Sequence, residues 1–386
     1  MSAGRTKARM RGLKRLARFL AIRTVSIGAS LVIAIFLVII VANLGGKIDE
    51  IVEQEIRLAV NMQLQDPRFK SQLESSCEAT CKGMGVTEES ALKQCVAQCL
   101  QNWVDEQTKI LMKAYGLDQP FAIRAFYYLR DALSLRLGRA QRIYSDTGSR
   151  EVWAIISERL PQTILLFTTA NIVIFFTELF VGLALSRKYG SIFDKLAVSL
   201  APLSSMPGWF YGLFMIMIFA FWLKLFPSRG MVSVPPPEDP WLYALDVLWH
   251  MALPIISWMI AYIPIGVYYY RTFFLLFSTE EYVEYARARG VPSRIIERRY
   301  ILRPTLPPII TSFALMLIGS WMGAIITETV FQWPGLGTKF YEAVSFSDAP
   351  VIIGIITIYA YLLAVTVIAL DLVYGILDPR VRVGGE

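Results

Sequence analysis

The chain has 386 residues, of which 55% are hydrophobic, and its mean hydropathy is +0.48. Soluble domains contain about 45–50% apolar residues by a similar count, so this composition excludes an ordinary soluble domain. The net charge of +7 comes from basic residues clustered beside long apolar runs, and contact of these clusters with the anionic lipid of a bilayer explains it without any nucleic-acid partner.

Six apolar runs are long enough to cross about 30 Å of hydrocarbon as helices. They span residues 25–44, 160–185, 196–223, 251–270, 305–330 and 351–377. The first run follows a basic segment, residues 1–24, and is too long for a cleavable signal, so it is expected to stay as an anchor. The sequence predicts an all-α polytopic membrane protein with six transmembrane helices, the last five of them in residues 151–386.

Basic residues concentrate on one side of these predicted spans. That side holds residues 1–24, the connections at 187–195 and 271–303, and residues 380–382, whereas the short loops on the other side hold only Lys224, Arg229 and Lys339. The positive-inside rule predicts a multi-pass protein of the cell membrane with both termini in the cytoplasm.

Residues 45–150 would face outwards as a helical insertion that contains all four cysteines. Cys77 and Cys81 form one pair spaced i, i+4, Cys95 and Cys99 form another, and a turn is indicated at residues 83–85, with a new helix starting near Thr87. Two helices folded across this turn would join Cys77 to Cys99 and Cys81 to Cys95 as disulfides within the hairpin of residues 77–99. A four-thiolate zinc site is the alternative.

The connection between the fourth and fifth spans, residues 271–304, contains a predicted sharp corner. Residues 282–289 have helix-forming composition and end at Gly290, a residue suited to the positive φ that follows a helix. Pro292 and Ser293 suit the first turn of a second helix.

This segment resembles the EAA-type coupling loop of the permeases of ABC importers, in the dipeptide, oligopeptide and nickel branch. The residues in register are Glu281, Tyr282, Ala286, Arg287, Ala288, Arg289, Gly290, Leu302, Arg303 and Pro308. The chain departs from the family pattern at Tyr300, where the family usually has His, and at Pro304, where it usually has Asn.

Five further motifs of the same branch occur in the expected order. They are G-L-D-x-P at 116–120, R-L-P-x-T at 159–163, a proline turn at 206–210, E-T-V-F-x-x-P-G-L-G at 328–337 and D-P-R-V-R at 378–382.

The resemblance implies the type I permease fold and a transport subunit that is not an enzyme and has no cofactor or metal of its own. The expected partners are a homologous second permease, two ATPase subunits that bind ATP and Mg, and an extracytoplasmic substrate-binding protein. The residues expected to couple to the ATPase are Tyr282, Glu284, Ala286, Arg287, Ala288, Gly290 and Arg303. No phosphate-loop motif occurs, and His250 is the only histidine.

Three ionisable residues lie inside predicted spans: Glu178, Glu328 and Asp371. Placing an ionisable side chain in lipid costs free energy, so such residues are first considered as candidates for a functional role. Glu328 is expected to hold the loop at 333–337, and Asp371 is expected to have a structural partner. Glu178 either bonds between helices or lines the substrate pathway.

The third span is broken by Pro202 and Pro207, and irregular backbone at membrane depth is tolerated only against protein or a water-filled cavity. The pathway-lining candidates are therefore Glu178, Ser204, Ser205, Met206 and Pro207.

The substrate expected from the resemblance is a di- or oligopeptide, with nickel or an oligosaccharide as the alternative within the branch. An ion-coupled secondary transporter would show inverted repeats and a relay of paired ionisable groups, and neither is found. An intramembrane enzyme would need a catalytic constellation, and none is found.

Overall fold

The computed structural model describes residues 2–43, 47–86, 88–114, 116–117, 119–321 and 323–377. Apart from one isolated pairing of Arg139 with Glu151, all regular structure in these residues is helical, which confirms the predicted all-α class. The α-helices are α1 Ser2–Asn43, α2 Lys47–Leu64, α3 Pro67–Gly83, α4 Glu89–Ala114, α5 Phe121–Leu133, α6 Val152–Ser186, α7 Ile192–Leu200, α8 Gly208–Met215, α9 Pro240–Ser278, α10 Glu281–Ala288, α11 Ser293–Ile295, α12 Arg303–Ser320, α13 Ile325–Phe331, α14 Leu336–Ser345 and α15 Ala349–Leu377. A 3₁₀ segment covers Ala201–Ser205, and π-helical segments cover Ile216–Trp222 and Ile296–Leu302.

The chain divides into two compact units, Val32–Arg136 and a larger unit formed by Met1–Leu31 with Leu137–Glu386. In the smaller unit, α2, α3 and α4 pack around Ile56, Val60 and Val104. Helix α3 begins at Pro67, where the Asp66 carboxylate accepts a hydrogen bond of 2.9 Å from the Arg68 N–H and so caps the helix.

Two disulfides join α3 to α4 in the smaller unit. Cys77 pairs with Cys99 and Cys81 with Cys95, which is the connectivity predicted from the i, i+4 spacing, and the described residues include no free cysteine. With all four cysteines paired in this way, the structure favours the disulfides over the zinc alternative. Helix α4 begins at Glu89, and the predicted helix start at Thr87 lies outside the described residues.

In the larger unit, the predicted second, fourth and sixth spans correspond to α6, α9 and α15, each longer than its apolar run. By length and composition, five helices of the described chain can cross a membrane, or six if the bent pair Ile192–Ser205 and Gly208–Trp222 counts as one span. This agrees with a polytopic membrane protein of about six spans.

Two predicted spans are not continuous helices. The third is bent by 94° between Ser205 and Gly208, because Pro207 cannot donate the backbone hydrogen bond that a straight helix needs there. The fifth ends as α12 at Ser320, and the chain restarts at Ile325 as α13 after Gly323, whose φ of +65° ends the helical path. The apolar run predicted as the fifth span, residues 305–330, is therefore divided between α12 and α13.

The middle of the larger unit is formed by α6, α9 and α12. Phe175 of α6, Tyr270 and Phe274 of α9, and Ile309 of α12 form one buried cluster. Gly182 permits this close packing: a Cβ there would lie 2.7 Å from the Cβ of Tyr270. Helix α6 therefore lies directly against the backbone of α9.

Candidate functional site: the elbow between α9 and α12

The corner predicted after α9 is a compact turn, here called the elbow (residues 281–303). Helix α10 ends with two backbone hydrogen bonds, from the Gly290 N–H to the Arg287 carbonyl (2.9 Å) and from the Val291 N–H to the Ala286 carbonyl (3.1 Å). Gly290 has a φ of +73°, as predicted. This is the Schellman arrangement, which closes a helix with a residue in the left-handed region.

One face of the elbow is buried. Val283 and Ala286 of α10 pack against Ile296 of the following π-helical segment, and all three side chains are at most 5% exposed. Val291 and Tyr300 pack against the same cluster. Because apolar contacts join its two arms, the elbow is a packed body and not a loose loop.

The other face of α10 is exposed and carries both charge signs. Tyr282 and Tyr285 are 41% and 74% exposed. Of these two, only Tyr282 is a predicted coupling residue; the other predicted ones on the open surface are Glu284, Arg287, Ala288, Gly290 and Arg303. Burial raises the pKa of Tyr282, and the charge of Glu280 raises it further, so its hydroxyl stays neutral at physiological pH. Ala286 is buried, and it packs on the opposite face of α10, against Ile296.

Ion pairs tie the elbow and the helix that leads into it to the neighbouring segments. Arg187, at the end of α6, pairs with Glu297 of the elbow. Arg271 of α9 forms two hydrogen bonds, of 2.7 and 2.8 Å, with the carboxylate of Asp194 on α7. The Arg271 guanidinium also lies 4.9 Å from the centre of the Tyr189 ring. In the sequence, Arg271 was counted only among the cytoplasmic basic residues. Asp194 is a single acid on another helix, and nothing in the sequence identifies it as the partner of Arg271.

Two of the family motifs meet at Glu328, which is fully buried. Its carboxylate accepts hydrogen bonds from the Thr163 hydroxyl (2.9 Å) and from the Thr338 N–H (3.1 Å). Gly335 lies so close that a Cβ there would be 2.3 Å from a carboxylate oxygen of Glu328. The prediction that Glu328 holds the 333–337 loop is confirmed.

The Trp333 side chain fixes the same loop against α6. Its indole N–H donates to the Gln162 carbonyl (3.0 Å), and Arg159 donates to the Pro334 carbonyl (3.2 Å). The R-L-P-x-T motif therefore binds the loop that contains the P-G-L-G motif, and neither motif indicates this contact by itself.

Another buried carboxylate was not singled out in the sequence. Asp348, between α14 and α15, accepts hydrogen bonds of 2.7–3.1 Å from three consecutive backbone N–H groups, those of residues 141, 142 and 143. Three converging amide donors compensate for burial of the charge. Asp371, whose partner was expected but not named, forms an ion pair of 3.1 Å with Arg23 of α1.

The pathway candidates are divided between two places beside α9. Glu178 lies over Gly266 of α9. The Ser204 hydroxyl accepts a hydrogen bond of 3.2 Å from the backbone N–H of Ile265, which is the neighbour of Gly266 in the chain. The other three candidates, Ser205, Met206 and Pro207, are exposed at the bend of the third span. Two motif positions, Asp118 and residues 378–382, lie outside the described residues.

The family model described as "Binding-protein-dependent transport system inner membrane component" matches residues 178–383. The Dipeptide transport system permease protein DppB of Escherichia coli (strain K12) is 30% identical over 292 residues, covering 70% of this chain and 84% of its own. DppB of Bacillus subtilis (strain 168) is 28% identical, covering 71% and 83%. A protein of Brucella suis biovar 1 with a provisional peptide-permease name is 30% identical, covering 69% and 82%. With half of its length matched by the family model, this chain belongs to the family of inner membrane components of binding-protein-dependent transport systems.

Proposed function

We propose that this chain is one permease subunit of an ATP-driven importer of di- and oligopeptides and forms half of its translocation pathway. The family assignment supports import that depends on a substrate-binding protein, and the names of the relatives support a peptide substrate over nickel or an oligosaccharide. Membership of this family also argues against an ion-coupled secondary transporter.

The elbow is the coupling element of this proposal. A cytoplasmic ATPase subunit would grip the exposed face of α10, with Tyr282, Glu284, Arg287, Ala288 and Gly290 at the contact. Arg303, the first residue of α12, would pass the movement into that helix. The supporting observation is that α10 is exposed on one face and packed through Val283, Ala286 and Ile296 on the other, because a helix with a solid base transmits a displacement that a flexible loop would absorb.

The assembly that follows has this chain, a homologous second permease, two ATPase subunits and an extracytoplasmic binding protein. Both termini and the elbow lie in the cytoplasm, which the distribution of Lys and Arg supports. ATP and Mg are bound by the partner ATPases, and this chain contributes no nucleotide site or cofactor. In the described residues, no three His, Cys, Asp or Glu side chains are grouped as metal ligands would be.

Gly290→Glu tests this proposal. A Cβ at Gly290 meets no atom within 4 Å. The variant should therefore insert and fold, with some backbone strain from the φ of +73°, while its side chain projects from the docking face. ATP-dependent peptide uptake into vesicles containing the complete reconstituted transporter should fall at least about tenfold, as expected when a charge is buried unpaired in an interface. Gly85→Glu is the matched control, because Gly85 also has a positive φ (+85°) and open space but belongs to the cysteine hairpin. Full uptake by Gly290→Glu would contradict the coupling role.

A further inference from the structure

A cavity of about 330 Å³ lies between α6, α9 and α12, away from the elbow. Its lining residues are Phe167, Asn171, Ile174, Glu178, Trp258, Tyr262, Met316, Gly319, Ser320 and Gly323. The glycines of this set leave room on the α12 side. A concave apolar pocket with few polar groups is the usual form of a small-molecule site.

Among the described residues, Glu178 is the only charged one that lines this cavity. It belongs to α6, and its carboxylate occupies space that Gly266 leaves open: a Cβ at Gly266 would lie 1.9 Å from the Glu178 carboxyl carbon. In the described part of the chain, no side chain or backbone group forms a hydrogen bond or ion pair with this carboxylate. An acid at membrane depth that has no such partner among the described residues is suited to meet a cation from outside the chain.

Three aromatic rings form a continuous wall of the same cavity. The rings of Phe167 and Trp258 have centroids 4.8 Å apart, and those of Trp258 and Tyr262 are 5.1 Å apart. The indole N–H of Trp258 donates to the Thr327 hydroxyl (3.2 Å), which fixes the ring. Aromatic faces attract an organic cation, and most strongly when water is excluded.

The remaining polar groups of the lining are an amide and a hydroxyl. The Ser320 hydroxyl is within 3.0 Å of the Thr168 hydroxyl and 2.5 Å of the Leu317 carbonyl, so it is already engaged. Asn171 is left as a neutral hydrogen-bonding group. One carboxylate with aromatic rings suits an ammonium group; a metal ion would require several oxygen, nitrogen or sulfur ligands.

We propose that this cavity binds the ammonium group of the transported peptide, with Glu178 as its counter-ion and Trp258 and Tyr262 packing around the attached carbon chain. This inference rests on the proposed function, since it names the part of the substrate that the permease itself recognises. The ammonium can come from the peptide amino terminus or from a lysine side chain, and both sources present the same charge.

Binding can be measured without transport in the complete transporter held in nanodiscs. The probes are 2-phenylethylamine and its neutral counterpart 2-phenylethanol, detected by quenching of tryptophan fluorescence and compared with Trp258→Phe. The amine should bind more tightly than the alcohol. Glu178→Gln should weaken amine binding at least about tenfold, which is the usual effect of losing a hydrogen bond to a charged group, and should leave the alcohol unchanged. Glu151→Gln, an exposed acid at the start of α6, is the matched control.

Uptake assays identify the source of the ammonium. Loss of uptake in Glu178→Gln for a free peptide, but not for its N-acetylated form, assigns the amino terminus; loss only for lysine-containing peptides assigns the side chain. Tyr262→Leu should weaken amine binding by itself, which covers the case that Glu178→Gln folds poorly.

Two outcomes would overturn the site: equal amine affinity in Glu178→Gln and wild type, or equal affinity for amine and alcohol, which would indicate a cavity filled by any apolar group such as a lipid chain. Charge-dependent amine binding without ATP-dependent peptide uptake would instead contradict the proposed function and leave the site standing.

Discussion

Thr163 and Glu328 are joined by a buried hydrogen bond of 2.9 Å although 165 positions separate them in the chain. The same hydroxyl accepts a hydrogen bond of 2.7 Å from the Leu336 N–H. One small side chain therefore connects α6, α13 and α14, and it belongs to the R-L-P-x-T motif at the start of the second predicted span.

Replacing Thr163 with Val should destabilise the protein by about 1–3 kcal/mol, because it keeps the shape but leaves a buried N–H and a carboxylate oxygen without their partner. The measurement is equilibrium unfolding in mixed micelles. Thr177→Val on the same helix is the control, since its hydroxyl bonds only to the Val173 carbonyl one turn away. A loss of equal size in both variants would show that the long-range bond has no special weight.

Replacing Asp194 with Asn should cost about 3–5 kcal/mol, the usual effect of removing one partner of a buried ion pair. The side chains of Asp194 and Arg271 are only 3% and 13% exposed. Arg271→Lys should also lose stability, because an ammonium cannot reproduce the two parallel hydrogen bonds of the guanidinium.

Thermal unfolding of the purified protein measures both losses. Lys93→Ala breaks an ion pair whose side chains are 78% and 85% exposed, and it should leave the unfolding temperature unchanged. Retention of wild-type stability by Asp194→Asn would mean that the pair contributes nothing.

Gly290→Val and Gly290→Asn should differ in effect, because only Asn tolerates the left-handed conformation well. Valine should strain the turn by about 1–2 kcal/mol and weaken the closure of α10. ATPase activity of the reconstituted complex, with and without peptide-loaded binding protein, should show poorer stimulation for Val than for Asn. Identical stimulation by both variants would indicate that the left-handed turn is not needed for coupling.

Single cysteine substitutions test the disulfide connectivity. In Cys77→Ser, only Cys99 should react with an alkylating reagent under non-reducing conditions, and in Cys81→Ser, only Cys95 should react. Mass spectrometry of the alkylated peptides identifies the labelled residue. Wild type should show no reactive thiol, and labelling of Cys95 in Cys77→Ser would indicate the crossed pairing.

Features that depend on neighbouring residues were predictable from the sequence. The position of Gly290 after an eight-residue helix, the pairing of i, i+4 cysteines across a glycine turn, and the long apolar runs of α6, α9 and α15 all follow from local geometry. The role of Glu328 was also foreseen, because its motif places it five residues before the loop that it holds.

Long-range partners were not predictable, since several acids and bases in the sequence are equivalent until the helices are arranged. Nothing in the sequence pairs Asp194 with Arg271, or Asp348 with residues 141–143. Similarly, Gly319 lies within α12, whereas Gly323 has a φ of +65° and ends the helical path. A glycine that packs and a glycine that turns look alike in sequence.

The ion pair between Arg23 and Asp371 has a consequence for biogenesis. Arg23 lies at the start of the most N-terminal membrane-crossing candidate, Ala21–Ala42, and Asp371 is the last residue of the most C-terminal one, Ala349–Asp371. During translation, Arg23 is made early and its partner Asp371 is made only after almost every other segment of the chain. A chain stopped before residue 371 would therefore lack this ion pair between its most N-terminal and most C-terminal membrane-crossing candidates.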